Sequence, residues 1–239
     1  MSAHRYLTTR QVEGFCFVGH TSELTAARVC RRVLKRLKEQ RVIEPLERRI
    51  GGVRAGSASF VWQLGPVGHR LLSSGNRKRS FEPSALFLSH GLAVAEAHLA
   101  LVLADRRKLL TLDRIETEPN CWRHYSGIGG SREVLKPDLY TVSVDTSDTE
   151  YELRWFLEID CGTENTKRLL NKCRRYLDYA ATGFEQQSGG FPFVVWVMKG
   201  DGAAARLRAA IDSDLSHNRE LFRVTTLDGL AGIMAGGGA

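Results

Sequence analysis

The chain has 239 residues, of which 43% are hydrophobic, and its formal net charge is +7. It contains no run of eighteen apolar residues and its first residues lack the apolar centre of a signal peptide, which argues against a membrane span and against secretion. The five cysteines are scattered without a CxxC pair, which argues against a structural zinc site and favours a reducing, cytoplasmic location.

Charge separates the chain into two parts. Residues 1–80 carry sixteen Lys and Arg against five Asp and Glu, whereas residues 81–239 carry eighteen against twenty-two. A basic segment joined to a mildly acidic remainder is typical of a nucleic-acid-binding module attached to a second domain. We predict a domain boundary near residue 80, in the polar and basic linker 73–80.

The basic segment has the pattern of a winged helix-turn-helix. Helix-start signals at Thr8 or Thr9 and a turn at 19–22 predict one helix to about Val18 and a second at 23–40. Strands at 42–49 and 59–64 around a Gly-rich turn predict a hairpin, the wing. The basic helix would enter the major groove of DNA and the wing would contact phosphates or the minor groove. The basic candidates are, on the helix, Arg28, Arg31, Arg32 and Lys35, and on the wing, Arg48, Arg49 and Arg54.

One helix of a usual winged helix is missing before Thr8. Only residues 1–6 precede this position, too few to form it. Either another element, for example one from a second subunit, covers the apolar face that this helix would otherwise cover, or the domain is truncated. An exposed apolar face favours a homodimer. A wing-like domain that contacts proteins, or a solvated charged face, are the alternatives to DNA binding.

Residues 81–232 alternate between helical and strand patterns. We predict helices at 84–107, 163–181 and 203–215, strands at 109–116, 135–144, 152–160, 191–198 and 221–226, and an irregular segment at 118–130. The order predicts an α/β sandwich with a mixed central sheet. The small residues near the C-terminus predict a disordered tail at 233–239.

Three carboxylates fall at the ends of two predicted strands. Asp138 follows Pro137, and Glu158 and Asp160 point to one face because they are two residues apart on a strand. Neighbouring anions in a half-buried strand require a cation or a proton. A divalent metal with oxygen ligands is the natural cation; a salt-bridged pair near the strand end is the alternative.

These residues resemble a known pattern. Pro-Asp, then Glu-x-Asp, then an amphipathic helix is similar to the PD-(D/E)XK nuclease core. More narrowly, LKPD at 135–138, FLEIDCGTE at 156–164 and KCRRYL at 172–177 resemble the replication-relaxation family of plasmids and conjugative elements. The resemblance implies a restriction-endonuclease-like domain in which Asp138, Glu158, Asp160 and Glu96 hold Mg²⁺ or Mn²⁺.

The sequence departs from the nuclease pattern at Asp160, where a Lys is usual. Asp160 can be a further metal ligand, or Lys172 on the following helix can supply the cation. Lys172 and Tyr176 share one helix face and resemble the Gln-x-x-x-Tyr helix of some nucleases. The histidines show no His-x-His motif, which excludes the common relaxase mechanism, and Tyr176 or Tyr179 as a covalent nucleophile stays an alternative.

The predicted function is that of a metal-dependent DNA nickase or endonuclease acting on double-stranded DNA at a plasmid or conjugative origin. The catalytic candidates are Asp138, Glu158, Asp160 and Lys172. The alternative is a catalytically inactive DNA-binding initiator or transcriptional regulator that uses the nuclease fold as a scaffold.

Overall fold

The computed structural model describes residues 3–19, 22–46, 60–72, 83–144 and 151–237. Contacts divide the chain into two compact units, Met1–Leu99 and Ala100–Ala239. The division falls inside a helix. The predicted boundary near residue 80 lies in a segment outside the described residues and stays a prediction.

The first unit contains short strands and helices, among them the two helices and the strand pair that were predicted. They are β1 (Leu7–Thr8), α1 (Thr9–Cys16), α2 (Glu23–Glu39), β2 (Ile43–Pro45), β3 (Val61–Leu64), α3 (Pro66–Leu72) and the first part of α4 (Ala85–Arg106). Thr8 and Gln11 form a capping box at the start of α1, and the Ser22 side chain caps α2. Side-chain acceptors thus satisfy the unpaired amides at both helix starts, which is why both could be found from sequence.

The three strands form an antiparallel sheet in the order β1-β3-β2. Strand β2 pairs with β3 as predicted, with Ile43 opposite Leu64 and Pro45 opposite Trp62. The third strand, β1, was not predicted because two residues carry too little periodicity. Residues 47–59, which contain Arg48, Arg49 and Arg54, lie outside the described residues.

Helix α4 covers an apolar face of the first unit. Its Leu88 and Leu92 form a buried cluster with Tyr6, Leu46 and Val61. The apolar face is therefore covered by the chain's own helix, an element that follows the predicted linker. A second subunit is not required for this cover, and the homodimer stays a prediction.

The composition of α4 also passes a test for membrane spans. By length and composition alone the helix could cross a membrane, with a mean hydropathy of 1.7. No membrane span was expected from the sequence, because the chain has no uninterrupted apolar run of that length. Core helices pass the same test, and the packing of Leu88 and Leu92 gives this composition a role within the first unit.

The second unit is built on a mixed five-stranded sheet. After the end of α4 its elements are β4 (Thr111–Thr117), β5 (Arg123–Ser126), β6 (Arg132–Leu135), β7 (Leu139–Val144), β8 (Glu152–Asp160), α5 (Thr166–Ala180), β9 (Phe193–Met198), α6 (Asp201–Asp214) and β10 (Phe222–Thr226). The strand order is β10-β9-β8-β7-β4. Strands β8, β9 and β10 are parallel to one another, whereas β7 is antiparallel to both β8 and β4. The predicted α/β class with a mixed sheet is confirmed.

Two local predictions in this unit are wrong. Residues 118–130 are not irregular throughout, because β5 pairs with β6 in a separate two-stranded sheet. The predicted strand 135–144 is broken at Pro137, which has no amide hydrogen to donate to a ladder, so β6 ends at Leu135 and β7 begins at Leu139.

The C-terminal segment differs from its prediction as well. Residues Ile233–Gly237 form a helical turn rather than a disordered tail. Met234 is fully buried, and its carbonyl accepts a hydrogen bond of 3.0 Å from Ser143 Oγ on β7. The buried Met234 side chain and this hydrogen bond hold the Gly-rich segment on the sheet. Residues 238–239 lie outside the described residues.

Helix α5 packs on the face of the sheet that carries the site. Its buried side chains are Leu169, Leu170, Cys173, Tyr176 and Tyr179. They join one core with Phe156 of β8 and with Val194 and Trp196 of β9. This packing fixes which side chains of α5 reach the end of β8.

Candidate active site

The two strands β7 and β8 bring two predicted carboxylates to one sheet edge. Asp138 precedes β7 directly and Glu158 is near the end of β8. Because Leu139 is opposite Leu157 in the antiparallel register, Asp138 falls opposite Glu158. Both are buried, with 6% and 0% of their surface exposed. Asp138 Oδ2 accepts a hydrogen bond of 2.7 Å from the Ile159 amide, which anchors this carboxylate to β8.

Helix α5 supplies a partner for each oxygen of Glu158. The Lys172 ammonium donates to Oε2, and the Tyr176 hydroxyl donates to Oε1 at 2.5 Å. The two side chains are four residues apart on α5, as the sequence predicted for one helix face. Lys172 is therefore not a solvent-facing side chain but the ion-pair partner of a buried carboxylate.

Burial controls the protonation of this cluster. The pKa of Glu158 is raised from 4.5 to about 7, mainly by burial and in smaller part by the nearby Asp138, while Lys172 and Tyr176 lower it. Burial lowers the pKa of Lys172, but Glu158 and Asp138 outweigh this effect and raise it. At neutral pH the Lys172 ammonium is therefore charged, and the Glu158 carboxyl group is partly protonated.

The two tyrosines proposed as nucleophiles occupy structural positions. Tyr176 is fully buried, and burial together with Glu158 raises the pKa of its phenol well above 10. Tyr179 is 4% exposed, and its hydroxyl donates to Glu185 at 2.9 Å. A buried phenol that is hard to ionise is a poor nucleophile, and the role of Tyr176 or Tyr179 as a nucleophile stays a prediction.

The other two predicted metal ligands are placed differently. Asp160 ends β8 on the same face as Glu158 and is 8% exposed. Glu96 belongs to the first unit, where its Oε2 accepts a hydrogen bond of 2.9 Å from Gln11 Nε2. Within the described ranges, no group of three or more His, Cys, Asp or Glu is arranged to hold a metal ion. Metal binding at Asp138, Glu158, Asp160 and Glu96 stays a prediction.

Sequence reasoning missed two lysines at the same sheet edge. Lys136 is exposed before Pro137, with its ammonium 4.4 Å from the centroid of the Trp122 ring. Lys199 is exposed directly after β9, and its side chain passes so close to Gly162 that a Cβ there would lie 3.1 Å from it. The available signal was a basic residue beside a strand end, since Lys136 lies two residues before Asp138 and Lys199 directly follows β9, the neighbour of β8.

The basic face of α2 is exposed as predicted. Arg28, Arg31, Arg32 and Lys35 all face solvent, and the buried positions of the helix are Ala26, Cys30 and Leu34. The four basic residues follow helical spacing and form one stripe. Its use as a DNA-binding surface stays a prediction.

Comparison with known proteins identifies the family. The model of the replication-relaxation family matches residues 1–194, a range that includes α2 and every member of the cluster around Glu158. Searches of the curated proteins and of the solved structures each found no match. Because the match covers most of the sequence, the chain belongs to the replication-relaxation family.

Proposed function

We propose that this protein binds double-stranded DNA and nicks one strand at the origin of a plasmid or conjugative element. The family supports a role in plasmid replication and relaxation. Relaxing a closed circular duplex requires a broken strand, and the observation that carries the proposal is the cluster of Asp138, Glu158 and Lys172 at one sheet edge.

The cluster has the donor chemistry of a Mg²⁺ or Mn²⁺ site. Asp138 and Glu158 offer hard oxygen ligands, and Lys172 already places a cation against Glu158. Mg²⁺ is commonly held by one or two carboxylates together with substrate phosphates and water, so two carboxylates are sufficient. Asp160, at the end of the same strand, is the proposed third ligand. The bound ion would supply a polarised water and charge neutralisation at the phosphate.

The chain's own residues have separate tasks in this scheme. Lys172 places a positive charge beside the scissile phosphate, where negative charge develops in the transition state. Glu158 would be a ligand of the ion together with Asp138, and a bound cation keeps such a carboxyl group ionised. Tyr176 holds one oxygen of Glu158 in position. Lys136 and Lys199 would contact the neighbouring phosphates, and such contacts position DNA without reading its sequence.

The first unit is proposed as the winged helix that recognises DNA. Helices α1 and α2 precede the antiparallel pair β2–β3, the order of elements in that motif. The stripe of Arg28, Arg31, Arg32 and Lys35 would lie along the major groove. The side chains of a single exposed face can reach phosphates on both groove walls, which makes the affinity strongly salt-dependent.

The test is nicking of a supercoiled plasmid that carries the element's own origin. With Mg²⁺ or Mn²⁺ we expect open circles, and with EDTA none. Asp138→Ala and Glu158→Gln should abolish nicking while duplex binding persists. Glu152→Gln is the matched control, because Glu152 is an exposed carboxylate at the opposite end of β8. Nicking that survives both EDTA and Asp138→Ala would refute the proposal.

A second candidate is a DNA-binding initiator or transcriptional regulator that does not cut. Both oxygens of Glu158 are engaged by Lys172 and Tyr176, and Asp160 stands where nucleases usually have Lys. In this case Lys172 is the permanent counterion of a buried carboxylate. No open circles would form with either metal, although the protein would still shift origin DNA in a gel. Asp160→Lys would then be the variant in which weak cleavage is expected to appear.

A further inference from the structure

A surface cleft lies between the β5–β6 hairpin and the C-terminal half of α5. Its volume is about 670 Å³. Pockets of this size accommodate a ligand as large as a nucleotide. The wall on the hairpin side includes Ser131 and Glu133, and the wall on the helix side includes Arg175 and Asp178, with Phe184 at one end. All of these residues belong to the second unit.

The cleft is a neighbour of the cluster around Glu158. Arg175 is three residues after Lys172 on α5, so the two side chains are adjacent on the helix surface. Asp178 lies about 9 Å farther along the helix axis than Lys172, at 1.5 Å per residue. Tyr179 packs under the cleft on Tyr125, with a ring centroid distance of 5.0 Å. A phosphate at Lys172 would therefore place an adjoining nucleotide within reach of the cleft.

The cleft offers hydrogen-bond acceptors beside an aromatic ring. Glu133 is oriented by a hydrogen bond of 3.1 Å from Ser131 Oγ. Asp178 is exposed, and in the part of the chain that the structure describes its carboxylate has no hydrogen bond or ion pair. Arg175 donates to the Val134 carbonyl at 2.8 Å, which holds its guanidinium against the hairpin. Phe184 is 52% exposed, which leaves ring surface available for stacking.

Gly127 keeps this hairpin wall in place. A Cβ at this position would lie 2.8 Å from both Glu133 Cγ and Ser131 Oγ. The close approach requires glycine, and it allows the Gly127 amide to donate to the Ser131 carbonyl at 2.8 Å. The orientation of Glu133 is therefore built into the hairpin rather than left to solvent.

We propose that this cleft binds an unpaired nucleobase that carries an exocyclic amine, such as cytosine. Two carboxylates against one guanidinium disfavour a phosphate and favour N–H donors. The N4 amine of cytosine is such a donor, whereas thymine presents a carbonyl oxygen and a methyl group at the corresponding edge. A base inside a duplex cannot enter a cleft, so the DNA must be locally single-stranded at this point. The location beside the scissile phosphate rests on the proposed nicking function, but the base preference does not.

The test compares two single-stranded oligonucleotides with the full-length protein. Fluorescein-labelled (dC)₁₂ and (dT)₁₂ are titrated in EDTA and followed by fluorescence anisotropy. Phosphate contacts contribute equally to both, so the ratio of the two affinities reports the base. We expect (dC)₁₂ to bind at least five-fold tighter. Asp178→Asn combined with Glu133→Gln should reduce this ratio to below two, because an amide also donates to the thymine carbonyl.

Two further variants separate the cleft from general effects. Phe184→Ala should weaken both oligonucleotides about five-fold or more, as expected for the loss of one stacked base. Asp212→Asn removes an exposed carboxylate on α6 and should leave the ratio unchanged. Equal affinity for (dC)₁₂ and (dT)₁₂ in the unaltered protein, or a ratio that survives the double variant, would overturn the inference. Absence of nicking with the base preference retained would refute only the proposed function.

Discussion

The stability of the second unit should depend on pH through Glu158. The pKa of this carboxyl group is raised from 4.5 to about 7 in the folded protein because it is buried. Between these two values the unfolded chain has released the proton while the folded chain still holds it. Stability from this group is therefore fully present below pH 4.5 and is lost as the pH rises through 7.

The size of the effect follows from the shift. At about 1.4 kcal/mol per pKa unit, the loss between pH 4.5 and pH 8 is about 3 kcal/mol. Glu158→Gln removes the titration but keeps the shape of the side chain. Relative to this variant, the unaltered protein should therefore become less stable by that amount as the pH rises across this range.

The assay is urea unfolding in EDTA at several pH values, followed by tryptophan fluorescence. Three of the four tryptophans, Trp122, Trp155 and Trp196, are in the second unit and report its unfolding. The pKa values of the buried His4 and the half-buried His98 are lowered to about 4, mainly by desolvation. Because these pKa values are lowered, the two histidines make the protein more stable as the pH rises, opposite to Glu158. Their contribution cancels in the comparison because the unaltered protein and Glu158→Gln both contain them.

A control and a refuting outcome complete this prediction. Glu152→Gln removes an exposed carboxylate from the same strand and should show no such change with pH. If the stability difference between the unaltered protein and Glu158→Gln is constant from pH 4.5 to pH 8, the carboxyl group titrates at its ordinary pKa. The electrostatic account of the cluster would then be wrong.

Three further predictions concern the remaining parts of the structure. Replacing Arg31, Arg32 and Lys35 together by Ala should weaken duplex DNA binding by a few kcal/mol, about 1 or more per lost contact. The same variant should show a flatter salt dependence of binding in anisotropy titrations. An unchanged salt slope would contradict the DNA-binding role of α2. Tyr176→Phe removes a buried hydrogen bond to a carboxylate that is ionised at pH 8. In urea titrations at this pH the free energy of unfolding should fall by about 1.5–3 kcal/mol. A loss below about 0.5 kcal/mol would mean that the hydroxyl contributes little. Gln11→Leu removes the hydrogen-bond donors to the Leu92 carbonyl and to a carboxylate on α4. The variant should be less stable by about 1–3 kcal/mol in thermal unfolding. An unaltered melting temperature would show that this contact with α4 is not stabilising.

Much of the secondary structure could be predicted because its signals are local. The Thr8 and Ser22 caps mark helix starts within three residues of sequence, and the apolar run of β9 marks a buried strand on its own. Two of the failures occurred where the deciding contact is distant, whereas the break at Pro137 has a local cause. Strand β5 is defined by its pairing with β6, and the turn around Met234 is held by β7.

The candidate site shows the same division between local and distant information. The spacing of Glu158 and Asp160 on a strand, and of Lys172 and Tyr176 on a helix, was readable because each pair lies within one element. The sequence did not show that Lys172 and Tyr176 both contact Glu158. Their contact depends on the packing of α5 against β8, which is set by apolar residues elsewhere on both elements.

The sequence alone determined the segregation of basic charge into residues 1–80, the resemblance at 135–177 and the α/β class. These properties depend on which residues are present and on their spacing along the chain. Only the tertiary structure decided that α4 covers an apolar face of the first unit, that Tyr176 is buried with its hydroxyl on Glu158, and that a cleft adjoins the cluster. Burial and pairing join residues far apart in the chain, and the pKa of a carboxyl group changes with the water and charge around it rather than with its neighbours in sequence.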